Sequence, residues 1–310
     1  MISGCMRDTE VTKTDRLEER SPARWAIAVF AHNEEQNIVN ALESVRNSAS
    51  IAQVHAYVLI NGCTDRTESV VENYAQRNEW VTPISIELGD KANAWNLFVY
   101  QVAGDYDAYF FADGDVEIEP HALNALYEEL MGSPGANAVA AVPCSGRHRD
   151  QMTRYVTENR LILGNLYALR REFIQRVRKA GTRIPVGMIG DDGILTSLVK
   201  WDLDPTGEFK DERVAPCIHG KFKYRSLSPW SLSDLRTYWR RRVRYSLRHY
   251  QHELLVPILR QGGIRAMPKS TTDLYIAQKQ CIAGLRPRHG LDSFFDRIAL
   301  REIRASAGAR

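Results

Sequence analysis

Between residues 24 and 112 the chain alternates between two periods. Short apolar runs, "RWAIAVFA" (24–31), "QVHAYVLI" (53–60), "VTPISIEL" (81–88) and "YDAYFFA" (106–112), are separated by longer stretches with helical spacing. Ile38, Leu42 and Val45 set that spacing in 34–48, and segments 64–77 and 91–103 follow it. Strands separated by helices of this length pair in parallel, and continuous apolar runs suit strands covered on both faces. The pattern predicts an α/β fold with a mostly parallel central sheet flanked by helices. A helix entered at Pro120 and running to Met131, then a fifth strand at 137–144, extend it.

From about residue 145 the segments become longer and more polar. The expected organisation is a mobile tail at 1–23, one half-domain at 24–120, a second at 121–245, and a helical C-terminal extension at 246–310. A chain of 310 residues has room for such a core. A net charge of +3 is too small to demand a nucleic-acid partner. Five cysteines without metal or redox spacing read as free thiols of a reducing cytoplasm. No stretch resembles a signal peptide, and no 18 apolar residues run together.

The stretch "AYFFADGDVEIEP" (108–120) ends an apolar run in two carboxylates. Ligands of open parallel sheets bind beyond the carboxyl ends of the strands, where Asp113 and Asp115 fall. Residues two apart on extended chain project to one side, and Gly114 lets the backbone turn between them. Such a pair repels unless a cation neutralises it, and a hard divalent cation, magnesium or manganese, takes oxygen ligands of this kind. Glu117 continues the alternation and is expected on the same face. A solvated Asp-Gly turn would explain the pair if it stood alone. It does not: "FAHNEEQNI" (30–38), "LINGCTDRT" (59–67) and "GDKANAWN" (89–96) bring polar residues to the same sheet edge.

With these stretches the chain resembles the family 2 glycosyltransferases of GT-A fold, a Rossmann-like architecture. Phe30, Ala31, His32, Asn33 and Glu34 match the family's Pro-Ala-Tyr-Asn-Glu-like first strand end. Asn61, Gly62, Cys63, Thr64 and Asp65 match its Asp-Gly-Ser-Thr-Asp-like second, and Asp113 and Asp115 match its Asp-X-Asp motif. Further on, "GNLYALRREFI" (164–174), "GDDGILTSLV" (190–199) and "RRVRY" (241–245) resemble the Gly-rich strand, the Glu-Asp motif and the Gln-X-X-Arg-Trp motif. The match spans about residues 24–246. Phe30 stands for the usual proline, Asn61 for an aspartate, Asp191 for a glutamate and Tyr245 for a tryptophan.

The resemblance implies inverting transfer of a sugar from a nucleotide diphosphate sugar to an acceptor hydroxyl, with Mn2+ or Mg2+. Asp113 and Asp115 are the implied metal ligands. Ala31, Asn33, Glu34, Asn61 and Lys91, with Asp113 and Gly114, are the implied donor-binding residues. Asp192 is the implied general base, with Asp191 orienting the acceptor or modulating its neighbour. Both also stand where aspartates cap helices.

The stretch 235–250 carries six arginines and no acid. Arg241 and Arg244 are candidates for the diphosphate, Trp239 and Tyr245 for stacking on a sugar, and the others for solvent or an anionic membrane surface at the inner face. His219 is a candidate further metal ligand. Two other readings fit parts of the pattern. A haloacid dehalogenase-type phosphatase or phosphotransferase would use Asp113 as nucleophile, and a nucleic-acid-binding module would use the arginines. The acidic pocket and the near-neutral charge argue against the second.

Overall fold

The computed structural model describes residues 22–49, 52–225 and 232–308. Residues 1–21, most of the expected tail, lie outside them. Strand β1 (Ala23–Ala31) leads to helix α1 (Ile38–Ser48), β2 (Ala52–Asn61) to α2 (Thr67–Ala75), and β3 (Val81–Ile86) to α3 (Lys91–Leu97). A π-helical turn, Phe98–Val102, ends α3. Then follow β4 (Ala108–Asp113), β5 (Val116–Ile118), α4 (Ala122–Gly132), β6 (Ala138–Pro143), α5 (Arg149–Asn159), β7 (Leu166–Arg170), α6 (Arg171–Ala180), α7 (Asp191–Trp201) and β8 (Val214–Tyr224). The last helices are α8 (Leu232–Gly262), α9 (Thr271–Ala277), α10 (Lys279–Gly284) and α11 (Asp292–Gly308).

The strands form one mixed, mostly parallel sheet in the order β3-β2-β1-β4-β7-β6-β8-β5. β1 pairs in parallel with β2 and β4, and β7 enters antiparallel beside β4. The chain runs outward from β1 to β3 and returns on the other side of β1. Open α/β sheets leave a crevice beyond their strand ends at such a reversal. Phe30 and Asp113 are register partners there.

β4 is covered on both faces, as its unbroken apolar run predicts. Tyr109 and Phe111 pack with Trp95, Phe98 and Tyr167, while Phe110 and Ala112 pack with Trp25, Ile27 and Leu126. Burying each such large side chain contributes roughly 1.5–3 kcal/mol. Leu254, Leu255, Leu259, Leu300 and Ile303 belong to the first cluster, so the C-terminal helices share the sheet's core. Among the described residues no helix is long and apolar enough to cross a membrane.

Three expectations change. α8 begins at Leu232, so the C-terminal helices start before residue 246. α1 begins at Ile38 because residues 34–37 form a turn, in which the Asn37 N–H donates to the Glu34 carbonyl (2.9 Å). Glu117 does not extend the acidic face. It lies exposed on β5 opposite Lys223, because β5 pairs antiparallel with β8 and buries Val116 and Ile118 on either side of it.

Candidate active site

The strand-end loops are tied to one another before they offer anything to a ligand. Asn33 accepts through Oδ1 from the Thr64 N–H (2.8 Å), joining the loop after β1 to that after β2. Asn61 accepts through Oδ1 from the Asp90 N–H (2.9 Å) and is only 6% exposed. Both asparagines therefore spend their carbonyl oxygens on the scaffold. Ala31 is buried at the end of β1. The Gly114 N–H donates to the Phe30 carbonyl (2.8 Å), and a Cβ on Gly114 would stand 3.0 Å from that oxygen and 3.2 Å from Ala31 Cα. The turn between the two aspartates thus lies flat on β1, where only glycine fits comfortably.

Asp113 is held from two sides. Lys91, the first residue of α3, donates from Nζ to its Oδ1 (2.5 Å), and Asn165 donates from Nδ2 to its Oδ2 (3.4 Å). Burial pushes the Asp113 carboxyl up, Lys91 opposes that, and Asp115 adds to it. Burial alone would lower Lys91, but Asp113, Asp191 and Asp192 together hold it above its ordinary value. Glu34 is also raised, first by burial; a hydrogen bond from Asn37 opposes this, and Asp115, Asp113 and Asp65 add to it.

Asp191 and Asp192 open α7. Burial lifts the Asp191 carboxyl to about 6; Lys91 pulls it down, while Asp192 and Asp113 push it up. Asp192 connects to the strand-end aspartate through Gly164. The Gly164 N–H donates to Asp192 Oδ2 (3.4 Å), and the Gly164 carbonyl accepts from Lys91 Nζ (3.3 Å). On its other side Asp192 Oδ1 faces Arg248 Nη1 at 3.3 Å. Behind this pair, His252 is lowered by burial and by Arg248.

Two hollows lie side by side along α5 and α8. A cleft of about 450 Å3 is walled by Asp113, Asp115, Asn165 and, from α8, Tyr238, Arg241 and Tyr245. A cavity of about 520 Å3 is walled by Asp192, Gly193, Tyr155, Glu158, Lys200 and Arg248. Met152 in the first wall and Tyr155 in the second are neighbours on α5, as Tyr245 and Arg248 are on α8. Arg241 is thus brought to the aspartates. Arg244 is exposed and outside both walls, and His219 lies in a separate hollow beside Arg149 and Asp150. Arg248, Asn165 and Tyr155 were not anticipated. Spacing marks the first: Arg248 stands seven residues after Arg241, two turns along one helix face.

The carboxylates suit a divalent cation that brings its own partners. Among the described residues no three His, Cys, Asp or Glu side chains converge as a complete ligand set. Asp115 lies in the cleft wall beside a lysine-bound Asp113, and Glu34 feels both charges. One or two carboxylates, with phosphate oxygens and water filling the remaining positions, are what such a cation takes at a phosphate site.

The family model for glycosyl transferase family 2 matches residues 26–190. No curated protein matches the chain by sequence. Among solved structures it is similar to the mannosyltransferase PcManGT from Pyrobaculum calidifontis in complex with GDP-Man and Mn2+, at 15% identity and a TM-score of 0.56. That likeness covers 93% of this chain and 74% of the other, and it concerns the fold. It is also similar to glucosyl-3-phosphoglycerate synthase from Mycobacterium tuberculosis, in complex with Mn2+, UDP-glucose and phosphoglyceric acid. There the identity is 19% and the TM-score 0.49, over 69% of this chain and 74% of that one.

Proposed function

The chain belongs to glycosyl transferase family 2 and is a glycosyltransferase, and from that premise we propose a metal-assisted reaction with Asp192 as its base. The sugar comes from a nucleotide diphosphate donor seated in the Asp113–Asp115 cleft. An acceptor hydroxyl oxygen attacks the anomeric carbon as the bond to the diphosphate breaks, with inversion. Asp192 takes the hydroxyl proton, and the nucleoside diphosphate leaves. The observation that carries this reading is the Gly164 link, which sets Asp192 on one side of a single residue and the Lys91–Asp113 pair on the other.

Asp115 and Asp113 are the residues that would hold Mn2+ or Mg2+. When bound, such a cation supplies Lewis-acid stabilisation of the charge developing on the leaving diphosphate. Arg241 faces the same cleft and offers a guanidinium fork to phosphate oxygens. Lys91 favours the ionised form of Asp113 and holds it in place. The cavity beyond Asp192 takes the acceptor, with Tyr155 as an exposed platform at its rim.

Asp192→Asn tests the assignment, because it keeps shape and removes the proton acceptor. Turnover with a nucleotide diphosphate sugar falls by about 10²-fold or more, while donor binding measured by calorimetry is unchanged. Retained turnover with weakened acceptor affinity would make Asp192 a binding residue and move the base to Asp191.

A further inference from the structure

Next to the cleft the protein carries an apolar knob that the described residues leave exposed. Leu291 is 90% exposed, Phe294 54%, and Trp239 48%. Trp239 on α8 packs edge-on against Phe294 and Phe295 of α11, with ring centroids 5.2 and 5.1 Å apart. Leu235, one turn before Trp239, is also exposed. Large apolar side chains gathered in one exposed patch are unusual on a surface that meets only water.

The knob has a basic flank. Successive residues step about 100° around a helix, so Arg236 and Arg240 lie beside the Leu235–Trp239 stripe on one side, and Tyr238 and Arg241 of the cleft wall on the other. Arg236, Arg240 and Arg297 are exposed, and none forms an ion pair among the described residues. Of the described carboxylates beside the knob, Asp292 pairs with Arg242, and Asp296 pairs with Arg288 at 2.7 Å. Apolar and aromatic tips ringed by uncompensated arginines match a bilayer surface, where the tips enter the headgroup layer and the guanidinium groups meet anionic phosphates.

We propose that this face, formed by the first turns of α8 and α11, docks on membranes rich in anionic lipid and brings the mouth of the cleft to the bilayer surface. Docking depends on neither the donor nor turnover, so it stands or falls apart from the reaction proposed above.

Sedimentation of the full chain with phosphatidylcholine vesicles, with and without phosphatidylglycerol, tests it. Binding is expected only with phosphatidylglycerol, and it weakens as salt is raised. The double variant Leu291→Glu/Phe294→Glu, whose sites are exposed, weakens binding by about tenfold or more, with an unchanged circular dichroism spectrum and unchanged nucleotide diphosphate binding. Arg236→Gln/Arg240→Gln weakens it in the same direction and flattens the salt dependence. The proposal is overturned by absence of binding to the anionic vesicles, by equal binding of the Leu291/Phe294 variant, or by a wild-type dimer that the variant dissolves without any vesicle binding.

Discussion

Arg248 Nη1 lies 3.3 Å from Asp192 Oδ1, across a helix start that carries no side chain at Gly190 or Gly193. A Cβ on Gly193 would fall 2.7 Å from Arg248 Nη2, and one on Gly190 would fall 2.4 Å from Arg248 Cδ. The two glycines therefore make room for one arginine, but at different cost. In Gly193→Ala the hard clash is with the free end of a flexible side chain, the His252 ring at 3.1 Å has only a few tenths of an ångström to give, and alanine favours the helix by up to about 1 kcal/mol. The fold is kept, Arg248 is displaced, and turnover falls by about tenfold to a hundredfold. Gly190 has φ of 72°, a conformation that costs an L-residue about 1–2 kcal/mol. Gly190→Ala consequently lowers the thermal midpoint as well. Melting curves and turnover for the two variants separate the effects; equal melting losses would contradict the account.

Asp191 gives the fold a pH dependence of definite sign. Its carboxyl rises from 3.8 to about 6 on folding, chiefly through burial. Between those values the native state binds more protons than the unfolded chain, so stability contributed by this group falls as pH rises. It is fully present below the lower value and gone above the upper. Asp191→Asn removes the titration, so the variant is more stable than the wild type at pH 7, and the difference shrinks as pH drops from 6 to 4. Urea midpoints across that range check the direction; a difference that grows on acidification would refute it.

Asp115→Ala removes the carboxylate that the cleft leaves unbound by lysine. Calorimetric titration of a nucleoside diphosphate with and without Mn2+ is expected to show the metal-dependent gain in the wild type only, with metal-free binding alike in both. The fold is unaffected, since Gly114, rather than Asp115, carries the backbone contact to β1.

The parts of this fold that were legible in the sequence are those written in period and length. β1 to β4 are apolar runs, and their ends collect Asn33, Asn61 and Asp113 where a parallel sheet must open. β5 was not legible, because three residues are too few to carry a period and its pairing partner lies about a hundred residues further on. Polar strand-end residues were found, but their division of labour was not. Nothing local says that Asn33 and Asn61 point their carbonyls at other loops, since those partners arrive only through tertiary structure. Arg248 was visible within an arginine-rich helix. Its spacing from Arg241 placed it on the same face, but its tie to the start of α7, through Gly190 and Gly193 more than fifty residues earlier, arrives only with the fold.

The Lys91–Asp113 pair is the most exacting test of how the site is held. Lys91 lies 2.5 Å from Asp113, with side chains 25% and 29% exposed, and it also faces Asp191 and Asp192. Lys91→Met keeps the volume and deletes the cation. Three carboxylates are then left together, and the loss at pH 7 is about 1–3 kcal/mol. Lys91 lowers both Asp113 and Asp191, so without it their folded values climb further and the native state takes up still more protons as pH falls. The deficit is therefore largest near neutrality and narrows towards pH 4. Asp113→Asn added to Lys91→Met recovers part of the stability, because it removes a charge that has lost its partner. In a double-mutant cycle the two substitutions are non-additive by about 1 kcal/mol or more. Strict additivity, or a deficit that does not change between pH 4 and pH 7, would show that Lys91 is held by its aliphatic packing and not by the charges it faces.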